Sequence, residues 1–330
     1  MKKHANVAIF IPHEGCPGQC SFCNQHTVFK GAPPSPLTTA KIAEDAITML
    51  KTPAQIAFFG GSFTRLNRVY MEELLQSVQT YLDNGSYSGI RISTRPDAID
   101  EDILKVLKKY RVTDIEIGAQ SMDDAVLEAN LRGHTADETA YAAHLIKKHG
   151  FHLGIQMMTG LYKDNDTKTI DTANTLITLN PDYTRIFPAI VVKGTKLQEW
   201  YENGIYKPQT LDEAVDLCAC LLELFTDAKI PVIKLGLHDA PDFKSNIVAG
   251  PYHSAFRELC ESRVLLKKAV SDIKEKNIPK GKILLNINNQ AASKMIGQKR
   301  ENISKLSGMG YDANVVLDDK YGYLQVEVSC

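Results

Sequence analysis

Three cysteines near the start of the chain carry its clearest chemistry. Cys16, Cys20 and Cys23 have the spacing C-x3-C-x2-C within HEGCPGQCSFCNQ, directly after a predicted strand. Thiolates at such short intervals can surround a metal ion or a cluster. Three thiolates would leave one iron of a 4Fe-4S cluster open to a small molecule, because full ligation uses four cysteines. The alternative is a zinc site of the Cys3His type, completed by His13 or His26.

The four remaining cysteines show no comparable pattern. Cys218 and Cys220 fall in an apolar helical segment, and Cys260 and Cys330 have no partner motif. The total of seven cysteines is odd, which argues against a disulfide framework. We therefore expect these four residues to act as small hydrophobes or as ordinary surface thiols.

Composition excludes several classes of protein. Of the 330 residues, 44% are hydrophobic and 23% are charged, which is typical of a globular protein and not of a disordered or collagen-like one. No apolar stretch approaches the ~20 residues that span a bilayer. The apolar run VAIFI stops at Pro12 and is too short for a secretory signal. We expect a soluble, cytoplasmic protein with no membrane partner.

Charge is distributed unevenly along the chain. The net charge is -1, so a basic field over the whole surface is excluded. Residues 263–330 hold 12 Lys and Arg against 7 Asp and Glu, a net charge of +5, and the remainder carries -6. The tail is therefore predicted to be a separate, modestly basic domain.

The elements that must position the cysteines alternate between strand and helix patterns up to about residue 235. Strands are predicted at 7–11, 55–59, 89–94, 114–119, 152–158 and 183–191, with amphipathic helices between them. Repeated strand-then-helix units with short connections predict parallel strands and right-handed crossovers. The expected fold class is α/β, a partial (β/α)6 barrel, with a doubly wound sheet as the competing arrangement. In both, active residues belong at the carboxyl ends of the strands.

Two of the predicted strands are followed by residues suited to ligand binding. The second ends at Gly60, Gly61 and Ser62, where glycine lets the backbone approach a ligand closely. The third ends in ISTRPD, so Thr94 and Arg95 lie at its carboxyl end. The alternatives are a plain turn for the glycines and a salt-bridged surface residue for Arg95.

The next two strands also carry polar side chains. Gln120 ends the fourth strand in IEIGAQS, and Gln156 lies among apolar neighbours in the fifth. A polar side chain in a buried strand must be hydrogen-bonded, and a cofactor is one candidate partner. Arg132, in NLRGHT, could bind a carboxylate bidentately. Phe22, directly before Cys23, would cover one side of a cluster.

The cysteine spacing, with an aromatic residue before the third cysteine, resembles that of the radical S-adenosylmethionine enzymes. The resemblance implies a 4Fe-4S cluster on the three cysteines, S-adenosyl-L-methionine on the open iron, and cleavage to a 5'-deoxyadenosyl radical that abstracts hydrogen from a substrate. It also implies an electron donor such as flavodoxin or ferredoxin. No catalytic residue is assigned; the residues expected to bind the cofactor are Phe22, Gly60, Gly61, Ser62, Thr94, Arg95, Gln120, Arg132 and Gln156.

Longer segments resemble the radical domain of Elongator protein 3 and its bacterial relatives: ISTRPD, IEIGAQSMDDAVLEANLRGHT, MMTGL, PDYTRIFPAIVVKGTKLQEW and ENGIYKP. This likeness runs through most of residues 8–262, within a first domain predicted at 1–262, and implies modification of tRNA or rRNA. The tight first cysteine interval departs from that family, and we expect no acetyltransferase domain. The alternatives are a radical enzyme acting on a small metabolite such as a porphyrin, and a non-catalytic RNA-binding protein with a structural metal.

The predicted second domain, residues 263–330, contains a segment similar to a KH module, with the order strand, helix, turn, helix, strand. The GxxG turn of that module corresponds here to Gly297-Gln298-Lys299-Arg300, with arginine at the second glycine position. The resemblance implies that Lys299 and Arg300 contact RNA phosphates by charge. The alternative is a small docked domain with solvated lysines.

Overall fold

The computed structural model describes residues 6–12, 14–16, 18, 20–24, 31–50, 54–237 and 244–330. Its larger sheet has seven strands, all parallel to their neighbours, in the order β1-β2-β3-β4-β5-β6-β8. These strands are β1 (Asn6–Ile11), β2 (Ala54–Gly60), β3 (Tyr87–Thr94), β4 (Val112–Gln120), β5 (His152–Thr159), β6 (Tyr183–Pro188) and β8 (Val232–Leu235). The sheet is open, with β1 and β8 at its edges, and forms a curled half-barrel.

Helices follow the strands as the alternating pattern requires. Two of them begin at capping boxes, Thr135 with Glu138 and Thr210 with Glu213, which satisfy the first free backbone N–H groups. The helices of this region are α1 (Pro36–Ile47), α2 (Arg68–Ser77), α3 (Gln79–Asp83), α4 (Glu101–Lys109), α5 (Asp124–Ala129), α6 (Ala136–Lys148), α7 (Asp166–Thr178), α8 (Lys196–Glu202) and α9 (Leu211–Asp227).

The two faces of the larger sheet differ in polarity because successive side chains of a strand point to opposite sides. Residues of one face, such as Ile92 and Ile115, belong to a core that also contains helix residues such as Leu104. The other face carries polar and charged side chains that pair across the strands: Gln55, Arg91, Asp114, Glu116, Gln156 and Arg185. The helices therefore cover the apolar face, and the polar face lines the hollow of the half-barrel.

The predicted α/β fold class, a partial barrel, is confirmed, with two differences of detail. A seventh strand, β8, was not predicted, because it is four residues long and contains Lys234, so it lacks an apolar run. The predicted sixth strand is interrupted: β6 ends at Pro188, and the two-residue strand β7 (Val191–Val192) pairs with β9 (Ile247–Ala249) in a separate antiparallel sheet.

The tail forms a smaller α/β unit. Its sheet has the order β11-β10-β12, with β10 parallel to β11 and antiparallel to β12. The elements are β10 (Gly281–Ile287), α11 (Ala292–Ile296), α12 (Glu301–Gly308), β11 (Tyr311–Leu317) and β12 (Val326–Ser329). The order strand, helix, turn, helix, strand is the one that the sequence predicts.

One long helix, α10 (Phe256–Glu275), joins the larger and smaller units. Its residues up to Val264 belong to the core of the half-barrel, whereas those from Leu265 onward belong to a second core with Leu285 and Met295. The division at residue 262 stays a prediction. Among the described residues, we find no helix that combines the length and the apolar composition needed to span a bilayer.

Candidate active site

A cavity of about 380 Å³ opens at the carboxyl ends of the first strands of the half-barrel. All three predicted metal ligands and all nine predicted cofactor-binding residues line it. These twelve are Cys16, Cys20, Phe22, Cys23, Gly60, Gly61, Ser62, Thr94, Arg95, Gln120, Arg132 and Gln156. Residues that lie up to 140 positions apart in the sequence thus meet at one place.

The two glycines at the end of β2, Gly60 and Gly61, hold the cysteine loop against the sheet. The Gly61 N–H donates to the Ile11 carbonyl at 3.0 Å, and the Ser62 N–H donates to the Glu14 carbonyl at 3.2 Å. A Cβ on Gly61 would lie 1.8 Å from the Glu14 carbonyl oxygen, and one on Gly60 would lie 2.2 Å from that of Ile11. Only glycine allows this approach, so the pair sets the position of the loop that carries the cysteines.

The three thiols differ in exposure. Cys16 is exposed, Cys23 is half-buried and Cys20 is buried. Within the described part of the chain, no three His, Cys, Asp or Glu side chains are arranged as a ready-made metal site, although the three thiols line one cavity. The histidines of the alternative zinc site, His13 and His26, lie outside the described residues.

Arg132 joins the cysteine loop to the end of β4. Its Nη1 donates to the Cys20 sulfur at 3.1 Å, and its Nη2 donates to the Gly118 carbonyl at 2.7 Å. Its Nε is buried and has no partner among the described residues. A guanidinium fixed beside a thiol stabilises negative charge on the sulfur, and an unused N–H can bind an anionic ligand.

Arg95 is held by protein groups. Its guanidinium forms a two-point ion pair with Asp97, at 2.8 and 3.0 Å, and also donates to the Arg132 carbonyl. Arg95 is salt-bridged, but it is buried and lines the cavity and does not lie on the surface. Its role in cofactor binding stays a prediction. Its bond to the Arg132 carbonyl holds the backbone at Arg132 in place.

Hydrogen bonds between neighbouring strands fix the other polar side chains. The Ser62 and Thr94 hydroxyls are 2.8 Å apart, which joins the ends of β2 and β3. Gln156 Nε2 donates to Gln120 Oε1 at 3.2 Å. Gln120 has a left-handed backbone (φ +66°) at an irregularity in the pairing of β4 with β5, and such irregularities redirect side chains at functional sites.

His134 is buried close to Arg132. Its Nε2 is 3.3 Å from the Ala119 carbonyl, and its Nδ1 has no partner within the described residues. Burial, with Arg132 and Arg95 nearby, lowers the pKa of His134 to about 4. The imidazole is therefore neutral near pH 7 and adds no third positive charge at this end of the cavity.

Five further residues line the cavity that the sequence did not single out: Gly18, Asn24, Ser93, Glu116 and Gly118. The position of Glu116 inside the half-barrel could have been predicted from the sequence. In IEIGAQS the alternation places Glu116 on the opposite face from Ile115 and Ile117, and therefore inside the half-barrel. An interpretation of this segment as an apolar strand with a polar end misses the residue.

The predicted RNA contacts lie elsewhere. Lys299 and Arg300 are exposed in the turn between α11 and α12, and neither lines the cavity. Both have left-handed backbones, with φ of +50° and +63°, after Gly297 at φ +78°. The turn thus takes a shape that usually favours glycine, although two of its residues are long and basic.

The residues of the cavity fit a 4Fe-4S cluster with a bound S-adenosylmethionine. Thiolates are the ligands that iron–sulfur clusters take, and three of them line the cavity. The buried, unpartnered Nε of Arg132 suits a carboxylate, and the glycine segment offers backbone groups at the same edge.

Two family models match the chain. The model of the radical SAM superfamily matches residues 10–176, just over half of the chain. The chain belongs to the radical SAM superfamily. A second model, the radical SAM C-terminal domain, matches residues 181–265. The expectation of a radical SAM enzyme is confirmed.

Curated relatives include enzymes of tRNA. The tRNA uridine(34) acetyltransferase of Methanocaldococcus jannaschii is 26% identical over 256 residues, which is 64% of this chain and 47% of that protein. Elongator complex protein 3 of Homo sapiens is 30% identical over 187 residues, which is 50% of this chain and 34% of that protein. The resemblance to Elongator protein 3 is confirmed, and the chain spans less than half the length of these two relatives.

Solved structures share the fold. An archaeal Elp3 of Methanocaldococcus infernus, with an N-terminal deletion, superposes with a TM-score of 0.62 at 20% identity, covering 84% of this chain and 65% of that one. SuiB of Streptococcus suis superposes with a TM-score of 0.52 at 16% identity, covering 71% of this chain and 49% of that one. At these identities the likeness concerns the fold alone.

Proposed function

We propose that the chain binds a 4Fe-4S cluster and S-adenosyl-L-methionine in the cavity of the half-barrel and uses them to modify RNA, with tRNA as the favoured class. The observation that carries the cofactor assignment is the convergence of twelve residues, from six separate segments, on one cavity. The assignment of RNA rests on the relatives, two of which are named for tRNA uridine modification or for Elongator.

In this proposal Cys16, Cys20 and Cys23 ligate the cluster. The segment Gly60–Ser62 presents backbone groups to the methionyl amine, and the free Nε of Arg132 binds the methionyl carboxylate. A bound cluster that carries one added electron would cleave S-adenosylmethionine and so supply a 5'-deoxyadenosyl radical for hydrogen abstraction from the substrate.

We assign the remaining cavity residues to binding and orienting the two cofactors. Phe22 covers one side of the cluster, and Gln120 and Gln156, already joined to each other, offer their other amide atoms to the adenosyl part of the cofactor. Ser62 and Thr94 hold the ends of β2 and β3 together. Arg95 keeps Arg132 in position through its carbonyl. The walls of the half-barrel would limit the access of solvent and of other reactive molecules to the bound cofactors.

The tail would add affinity for RNA. Lys299 and Arg300 stand exposed in their turn, and exposed cations contact phosphates without reading sequence. The similarity of this unit to a KH module and its net charge of +5 over residues 263–330 support the same role. The cytoplasmic location and an electron donor such as flavodoxin or ferredoxin stay predictions.

The test is a comparison of modified nucleosides, by mass spectrometry, in total RNA from cells with and without this gene. A nucleoside that disappears with the gene, and returns when the purified enzyme acts on RNA from the deletion strain, supports the proposal. An unchanged nucleoside profile, combined with cofactor cleavage stimulated by a small metabolite, would favour the porphyrin-like alternative.

A further inference from the structure

We propose that Arg132 raises the reduction potential of the bound cluster through its hydrogen bond to Cys20, and that the cofactor carboxylate reduces this effect by binding the same guanidinium. This role rests on the proposed function, because it takes the cluster and S-adenosylmethionine as the two cofactors. It adds a connection between them. Binding of one cofactor would change how readily the other accepts an electron.

The guanidinium of Arg132 divides its donors between two sites. Nη1 donates to the Cys20 sulfur at 3.1 Å, and Nη2 donates to the Gly118 carbonyl at 2.7 Å. The third nitrogen, Nε, is buried and has no partner among the described residues. A buried N–H without an acceptor is costly, and an anionic ligand would remove that cost. Because the guanidinium is planar and rigid, the sulfur and a ligand at Nε would share one fixed positive charge.

The contact between Arg132 and Cys20 is imposed by the backbone on both sides. Ser21, directly after Cys20, donates its N–H to the Asn130 carbonyl at 3.1 Å and its hydroxyl to the Asn130 side chain at 2.8 Å. Arg95 donates to the Arg132 carbonyl from another strand end. The cysteine loop is thus fastened to the turn that carries Arg132, so the guanidinium and the sulfur are held beside each other.

The charge of Arg132 is not cancelled by a protein carboxylate. The neighbouring Arg95 is paired at two points with Asp97. In contrast, the nitrogens of Arg132 meet a sulfur and a carbonyl, and no carboxylate pairs with them in the part of the chain that the structure describes. Arg132 is 6% exposed, so solvent screens this charge little.

A positive charge next to a cluster ligand favours the reduced cluster, because reduction adds one negative charge. Hydrogen bonds to the ligand sulfurs and nearby charges are among the factors that set the potential of such clusters. A carboxylate bound at Nε of Arg132 would offset the positive charge and make the potential more negative. Since binding effects are reciprocal, reduction would weaken binding of that carboxylate by the same factor.

The experiment is a redox titration of the reconstituted full chain under anaerobic conditions, followed by electron paramagnetic resonance. It measures the midpoint potential of the cluster and requires no turnover. Arg132→Gln removes the positive charge, so we expect the ratio of reduced to oxidised cluster at a fixed potential to fall at least tenfold. For one electron this is a midpoint about 59 mV more negative. Arg132→Lys keeps the charge but not the rigid fork, so its midpoint should lie between the two.

The matched control is Arg263→Gln. It also removes one guanidinium, but Arg263 lies on α10, pairs with Asp212 and Asp216, and does not line the cavity. Its midpoint should equal that of the wild type. Iron content, measured for every variant, shows whether the cluster is complete.

A second set of titrations adds S-adenosylhomocysteine, which has the same amine and carboxylate but no sulfonium to cleave. A ligand on the open iron changes the potential of the wild type and of Arg132→Gln alike, so the difference between the two shifts isolates the contribution of Arg132. We expect the shift of the wild type to be more negative than that of Arg132→Gln. Equal shifts would overturn the connection between the two cofactors.

A wild-type midpoint in an Arg132→Gln variant that holds four irons would overturn the inference and leave the proposed function standing. Loss of iron from both Arg132 variants, with Arg263→Gln fully loaded, would mean that Arg132 serves cluster assembly, and this would also overturn it. A wild-type chain that binds no iron after reconstitution would overturn the proposed function as well.

Discussion

The cavity of the half-barrel and the basic turn of the tail both present arginine, but in opposite settings. Arg132 is 6% exposed and held by Cys20 and Gly118, so its charge lies at a defined point. Lys299 and Arg300 are exposed on a turn, where solvent and salt screen their charge. A buried, fixed cation suits one small ligand, whereas exposed cations suit a polyanion. Substitutions in the cavity should therefore impair cofactor binding, whereas substitutions in the turn should weaken RNA binding in a salt-dependent way.

The largest effect is expected in the cavity. Cys20→Ala removes a buried thiol that the cluster needs, so the brown chromophore and the formation of 5'-deoxyadenosine should be lost, while circular dichroism shows a folded chain. The matched control is Cys220→Ala, because Cys220 is a half-buried cysteine on α9, outside the cavity. Absorbance and iron content are measured for both variants after anaerobic reconstitution. Undiminished 5'-deoxyadenosine from Cys20→Ala would disprove the cluster assignment.

The next largest effect concerns the glycines after β2. A side chain at Gly61 would collide with the Glu14 carbonyl, so Gly61→Val must separate β2 from the cysteine loop. We expect affinity for S-adenosylmethionine to fall at least tenfold, about 1.4 kcal/mol. Gly308→Ala is the control, because a Cβ at that residue would meet no atom within 4 Å. Equilibrium dialysis measures both. Unchanged cofactor affinity in Gly61→Val would mean that Gly60 and Gly61 form only an ordinary turn.

A smaller effect should appear as a pH dependence of stability. The pKa of His134 is about 4 in the folded chain and about 6.5 when unfolded. Between these values the unfolded chain binds the extra proton, so stability falls as pH falls through this window. From pH 7 to pH 5.5 the loss due to His134 is about 1 kcal/mol. The free energy of unfolding of the His134→Gln variant, measured in urea, should fall by about 1 kcal/mol less than that of the wild type over the same pH range. Parallel curves for the variant and the wild type would mean that His134 titrates normally.

The smallest effect at physiological salt is expected in the tail. Exchange of Lys299 and Arg300 for glutamate should weaken RNA binding most at low salt, and flatten the log–log salt dependence by about 0.7 for each lost phosphate contact. Cofactor cleavage without RNA should be unchanged, because neither residue lines the cavity. A filter-binding titration at three salt concentrations measures the slope. Equal slopes would favour the alternative of a docked domain with solvated lysines.

The larger unit was predictable because its strands and helices are long and strongly patterned. The predicted alternation of strands with helices is observed, and the six predicted strands contribute to one parallel sheet, the sixth of them only as far as Pro188. Short elements were missed: α5, α8 and β8 have six, seven and four residues, too few for a period to show. The cap of α1 is Ser35, whose hydroxyl accepts from the Thr38 N–H, and Pro36 occupies the first turn.

The site was predictable where polar residues end apolar strands. Parallel strands bring their carboxyl ends together, so Gly61, Arg95 and Gln120 could be assigned to one place before the structure was known. What each side chain does there could not be predicted. The bonds of Arg95 to Asp97, and the unused oxygen of Glu116, depend on distances between strands that a sequence does not contain.

The most direct test of the central claim is anaerobic reconstitution of the full chain, with iron analysis and electron paramagnetic resonance before and after addition of S-adenosylmethionine. We expect four irons per chain and a reduced-cluster signal that changes when S-adenosylmethionine binds the open iron. Zinc in place of iron, or an iron signal that S-adenosylmethionine leaves unchanged, would contradict it.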